Sequence, residues 1–215
     1  NNFLKKETST NTFLIEKPNQ IFLVIMESYD SWPLMNAYKN LKLSTELLKI
    51  ENKAVSFKNF TPASSTTMNS FGTIITSVPY CGINISKIGA LRTFPTSIFK
   101  QFKKLGYKTN FFYGGYLSWQ NIDNFVRKQG AENVYGAANS RAEKGIWGIN
   151  DEALYEMVLN KVDASKKSFN IILTMSYHAP YEVEIYKEGF MYKKKSDLPL
   201  EFQNKYNEEQ TPIKS

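Results

Sequence analysis

Four hydroxyl side chains stand in a row at Ser64, Ser65, Thr66 and Thr67, between a proline at 62 and the apolar run "MNSFGTIIT". In most sequences such a cluster caps a helix or builds a turn. The same placement also suits a nucleophile. The free N–H groups and positive dipole end of a helix N-terminus stabilise an alkoxide or a bound phosphoryl group. A Ser or Thr hydroxyl is a weak nucleophile at neutral pH and needs an adjacent base or a metal. Two other residues offer such help. Glu27 ends the apolar run "QIFLVIME" and is a hard oxygen donor suited to a divalent cation, with Asp30 close by as a second, weaker donor. His178 is the only histidine, in "NIILTMSYHAPY". A lone histidine is more often structural than catalytic, but this one follows an apolar strand-like run and precedes Ala-Pro. Trp147, in "GIWGIND", either packs in a core or walls a pocket.

These residues need a frame. "QIFLVIM", "YKTNFFYGG" and "SFNIILTM" read as buried strands, the first about 21–26, and "AVSFKNF" alternates as a further strand. "STELLKIENK" reads as a helix capped by Ser44, with Glu46 in its first turn. "TMNSFGTIIT" reads as a helix as well. "PTSIFKQFKKLG" is amphipathic, starting at Pro95 or Thr96 and stopping at Gly106, and "SWQNIDNFVRKQG" is a second such helix with a glycine stop. In "GINDEALYEMVLNKV" Asn150 is the cap, and Asp151 and Glu152 lie where the helix dipole favours acids. This alternation predicts an α/β domain with a mostly parallel central sheet flanked by helices. In such sheets ligands bind beyond the carboxyl ends of the strands. Glu27, Gly114-Gly115 and His178 all fall there. The expected organisation is a linker or arm over 1–19, an α/β domain over 20–184 and a polar excursion over 185–215.

Composition narrows the classes. The chain has 215 residues, 42% hydrophobic and 14% aromatic, enough for one domain with a real core. The longest strand-like apolar run is far too short to cross a bilayer. The net charge of +7 and pI near 9.2 suit an anionic partner, although the basic residues are mostly scattered. A single cysteine, Cys81, excludes an internal disulfide and a cysteine-based zinc site. There is no P-loop, dinucleotide glycine motif, nucleophile elbow or HExxH, and no aromatic-basic motif of a nucleic-acid module.

Taken in order, "FLVIMESYDSW", "FKNFTPASSTTMNSFGTIITSVP", "GIWGINDEALYEMV" and "NIILTMSYHAPY" resemble the sulfatase-like branch of the alkaline phosphatase superfamily. They look most like the lipoteichoic-acid synthase and phosphoglycerol transferase group, across roughly residues 20–182. The resemblance implies an alkaline phosphatase-like three-layer sandwich, here short of its C-terminal part. It implies Glu27 as a metal ligand and Thr67 as both nucleophile and metal ligand. Matching Thr76-Ser77-Val78-Pro79 to the end of the family's pattern selects Thr67; matching on the phenylalanine alone would select Thr66. It further implies His178 on the substrate phosphate or leaving group, and Trp147 lining the headgroup pocket. One divalent ion is implied, Mn2+ or Mg2+ rather than Zn2+.

The implied donor is an anionic membrane phospholipid and the implied acceptor a glycan or glycerophosphate. The expected location is the extracytoplasmic face of a bacterial cytoplasmic membrane, with anchoring through a segment outside this chain and no nucleic-acid partner. The chain departs from the family at two places. Thr66 stands where a basic residue often precedes the nucleophile, and no Asp-His pair completes the metal site. The second departure implies a fragment of a longer protein that is inactive by itself. Rival readings are a sulfatase or phosphodiesterase on the same scaffold, disfavoured as a sulfatase by the lack of a "C/S-x-P/A-x-R" context, and a non-catalytic binding domain. Phosphoethanolamine transferases usually carry several disulfides, which one cysteine cannot supply.

Overall fold

Two strands of this chain are buried on both faces, and each carries an apolar run toward its carboxyl end. They are β4 (Ser168–Leu173), buried at every position, and β2 (Lys108–Tyr113), buried at all but its first. The two pair in parallel, with Thr109 opposite Phe169 and Tyr113 opposite Leu173. The computed structural model describes residues 16–51, 53–57, 60–180, 196 and 200–203. Within them β1 (Gln20–Ile25) pairs in parallel with the other side of β4, and β3 (Asn133–Tyr135) with β2. The sheet order is β1-β4-β2-β3, every pairing parallel. As an edge strand β1 is only partly covered, which is why Phe22 and Val24 remain exposed in an apolar run.

Helices cover both faces, as parallel strands require. On one face pack α2 (Thr67–Thr76), α4 (Ile98–Lys104) and α5 (Ile122–Gln129). Their Phe71, Phe99, Phe125 and Val126 join Phe111, Phe169, Ile171 and Leu173 in one core. On the other face α6 (Asp151–Lys161) packs Leu154, Met157 and Val158 against Phe112 and Ile172. Two short helices, α1 (Thr45–Glu51) and α3 (Ile85–Gly89), lie between β1 and α4 in the chain. Asparagines bridge three strands: the half-buried Asn133 donates from Nδ2 to Asn110 Oδ1 (2.8 Å), and the buried Asn110 from Nδ2 to Asn170 Oδ1 (2.7 Å). The mostly parallel sheet between helices is therefore as the sequence predicts.

Several local expectations change. "AVSFKNF" forms no strand among its described residues. Val55, Phe57 and Phe60 are about four-fifths exposed, because no neighbouring strand meets that segment. The short β3 was not anticipated, since three residues are too few to show a period. Ser44 sits where expected, its carbonyl accepting from the Leu48 amide, but its hydroxyl pairs with the Tyr29 phenol instead of a helix N–H. α4 starts at Ile98, later than Pro95 or Thr96, with the buried Ser97 as its N-cap; the Ser97 and Thr96 hydroxyls donate to the carbonyls of Gln129 and Thr76. "SWQNIDNFVRKQG" begins as a 3-10 turn over Trp119–Asn121 and becomes α-helical only at Ile122. The Asn150 cap is present, accepting from the Ala153 amide at 2.9 Å. The expectations for residues 1–15 and nearly all of 185–215 lie outside the described residues.

Candidate functional site

The carboxyl ends of β1, β4 and β2 lie side by side and gather most of the singled-out residues. The amide of Thr174, just past β4, donates to the Ile25 carbonyl (3.1 Å), and the Glu27 amide donates to Thr174 Oγ1 (3.1 Å). The chain then turns sharply at Ser28, whose φ of 55° is costly for a residue bearing a Cβ. This turn holds the Glu27 carboxylate at the sheet end, where the Ser28 hydroxyl also donates to its Oε1 (3.3 Å).

The hydroxyl cluster divides its work. Ser70 Oγ donates to the Ser64 carbonyl (2.7 Å) and accepts from the Ser64 amide (3.0 Å), and Ser64 Oγ accepts from the Thr66 amide (3.3 Å). Those bonds close the turn ahead of α2. Thr66 is the N-cap by backbone conformation, but its side chain caps no N–H. Thr67, the first residue of α2, donates from Oγ1 to Glu27 Oε1 at 3.0 Å. Of the four hydroxyls it is the one turned to the acid, and both partners are partly buried. Met68, Phe71 and Ile75, all buried, clamp the helix to the core and so fix where its first turn lies.

His178 follows β4 in a turn closed by its amide donating to the Met175 carbonyl (2.9 Å). The ring lies against Trp147 with centroids 4.1 Å apart. Nδ1 faces the Ala179 carbonyl at 2.8 Å, so that nitrogen carries the proton and Nε2 is the free acceptor of the neutral ring. Two contacts place Trp147. The Ile149 amide donates to the Gly114 carbonyl (2.8 Å), and Gly148 runs so close to Gly114 and Gly115 that a Cβ at 148 would overlap their backbone. Gly148 also has φ 137°, in the range that favours glycine. Asp151 ties the same loop to the strand exit, its carboxylate accepting from the amides of Met175 (2.8 Å) and Ser176 (3.0 Å).

The structure thus joins Thr67 to Glu27 and Trp147 to His178. No hydrogen bond or ring contact joins one pair to the other. Asp30 is exposed, and its carboxylate accepts from the neighbouring Ser31 amide instead of joining Glu27. Sequence reading passed over Thr174 and Tyr113 and read Asp151 only as a first-turn acid of its helix. All three lie at strand exits or helix starts, the one shared signal that could have found them. The phenol of Tyr113, the last residue of β2, is pushed well above its ordinary range, first by burial and then by the negative charge of Glu27. The paired Glu27 and Thr67 oxygens are hard donors of the kind that hold Mg2+ or Mn2+. Among the described residues no group of three His, Cys, Asp or Glu side chains gathers to hold an ion, so the pair fits part of a metal site.

A parallel sheet between helix layers is the alkaline phosphatase-like fold. Within it, the chain belongs to the sulfatase family, which matches residues 19–210. An alkaline phosphatase superfamily protein from Vibrio parahaemolyticus has a similar fold (TM-score 0.68, 24% identity, 82% of this chain and 44% of that one). So does the lipoteichoic acid synthase LtaP from Listeria monocytogenes (0.69, 20%, 86% and 46%). The C-terminal periplasmic domain of EcEptC from Escherichia coli is also similar (0.56, 18%, 78% and 46%). The chain spans a little under half the length of each of these three structures.

Proposed function

We propose that this chain carries the nucleophile half of an extracytoplasmic enzyme that transfers a phosphoglycerol-type headgroup from an anionic membrane phospholipid to a glycan or glycerophosphate acceptor. The observation that supports this most is the 3.0 Å hydrogen bond from Thr67 to Glu27 at the N-terminus of α2. Glu27 orients Oγ1, and the helix N-terminus favours the negative charge that develops there. Oγ1 passes its proton to the Glu27 carboxylate that accepts its hydrogen bond and attacks phosphorus, the bond to the diacylglycerol oxygen breaks, and a phospho-threonine ester results. His178, charged at Nε2, protonates the leaving oxygen; the neutral ring then accepts the proton of the acceptor hydroxyl, and Glu27 returns its proton to Oγ1 as the ester is resolved. Trp147 holds that ring in place.

A divalent ion held by Glu27 and Thr67, Mn2+ or Mg2+ rather than Zn2+, would supply Lewis-acid activation of the hydroxyl. The Escherichia coli domain has also been solved as a complex with Zn, which supports a metal in the fold without choosing one for this chain. That domain is periplasmic, in keeping with the proposed location. No helix among the described residues is long and apolar enough to cross a membrane.

Two other readings have support. The family match also accommodates a hydrolase of sulfate or phosphodiester substrates, with water as the acceptor. A binding domain without catalysis fits the incomplete ligand set among the described residues. Incubating the full-length protein and divalent metal with headgroup-labelled phospholipid separates the three. Label on Thr67 that passes to an added acceptor supports the transferase, label released only to water the hydrolase, and no label the binding domain.

A further inference from the structure

We propose that Tyr113 is a further catalytic residue of this site, its phenol donating a hydrogen bond to a non-bridging oxygen of the phosphoryl group received by Thr67. The inference rests on the reading of Thr67 as nucleophile. Tyr113 ends β2, and its partner across the register is Leu173, the last residue of β4 before Thr174. Thr174 in turn supports the Glu27 backbone. Tyr113 therefore stands at the same carboxyl end of the sheet as Glu27.

Three observations give that phenol a role beyond packing. Its ring is held by stacking on Phe111 (centroids 6.3 Å apart) and by a tilted contact with Trp119 (6.3 Å). Its oxygen lies over Gly115, where a Cβ would fall 2.6 Å from Oη, so only glycine at 115 leaves the phenol its place. The residue is only 3% exposed, yet its hydroxyl makes no hydrogen bond to the described residues and keeps some solvent access, so it is free to meet a ligand. A phenol ordinarily titrates about three units above neutral pH, and burial raises Tyr113 further, so it stands ready as a donor. A rigid, neutral donor beside a developing anion gains most when negative charge accumulates in the transition state.

Tyr113→Phe removes one oxygen and keeps the ring. In the full-length protein with metal and labelled phospholipid, this variant is expected to slow labelling of Thr67 about 10- to 100-fold at saturating donor, the effect of losing one hydrogen bond to a charged group. KM and the melting temperature should stay close to wild type. Tyr113→His, which retains a donor, should recover part of the rate and serves as the test if the Phe variant folds poorly. Wild-type labelling by Tyr113→Phe, with Thr67→Ala inactive, overturns this role and leaves the nucleophile standing. So does a rate loss matched by a fall in melting temperature and not relieved by histidine. Full turnover by Thr67→Ala overturns both.

Discussion

Thr67 and Glu27, forty residues apart in the chain, meet through a 3.0 Å hydrogen bond from hydroxyl to carboxylate. Two elements with no contact in sequence, the exit of β1 and the first turn of α2, are thereby joined. If the pair is nucleophile and ligand, Thr67→Ala abolishes labelling from headgroup-labelled phospholipid. Glu27→Gln keeps an oxygen but loses the charge, and should lower the rate by about 100-fold or more, the scale of a lost electrostatic contact at a reacting centre. A Glu27→Gln variant with wild-type turnover would remove Glu27 from the site.

Trp147 covers the His178 ring, while its own indole N–H is buried with no partner. Trp147→Ala should lower kcat/KM about 3- to 10-fold, the worth of one aromatic contact. Trp147→Phe should keep most of the activity without lowering the melting temperature, because it deletes an unsatisfied donor. Paired steady-state kinetics and thermal melts on both variants check this.

Phe71 lies one turn beyond Thr67 and packs on Phe111 and Phe125, with centroids 5.4 and 6.0 Å away. Truncating it leaves a cavity beneath α2, so Phe71→Ala should cost about 3–5 kcal/mol of stability. Urea unfolding would measure the loss. A value near zero would show that α2 is not anchored through this ring.

Glu132 supplies a pH dependence unrelated to catalysis. Burial raises its pKa, but the Thr109 amide (2.9 Å) and Lys103 Nζ (3.4 Å) outweigh that and hold it below the ordinary 4.5. The folded state therefore favours the ionised carboxylate. That stability is present at neutral pH and is lost as pH falls below 4.5 through the folded-state value. Wild type should exceed Glu132→Gln in urea midpoint at pH 7, and the gap should shrink toward pH 3. A gap that widened in acid would contradict the sign.

Much of this was legible beforehand for local reasons. β2 and β4 end in the apolar runs "FFY" and "IIL", and α6 starts with its own cap and two acids, so each element is recognisable without its neighbours. Residues 54–60 show the opposite case. Their alternation is strand-like, but a strand exists only through a partner, and none meets Val55 or Phe57 among the described residues. β3 is a strand for the converse reason, since pairing with β2 makes three ordinary residues extended.

The site divides the same way. The sequence by itself determined the residue types at the strand ends: an acid at 27, a run of hydroxyls at 64–67, a glycine pair at 114–115 and one histidine at 178. Only the tertiary structure decided which hydroxyl meets the acid, that Asp30 stays apart, and that Tyr113 lies over Gly115 with an unpaired phenol. Hydrophobic periodicity is a property of neighbours along the chain and can be read there. Which polar atom faces which depends on the register of parallel strands and the seating of a helix on their sheet, and these are set by packing between residues far apart in sequence.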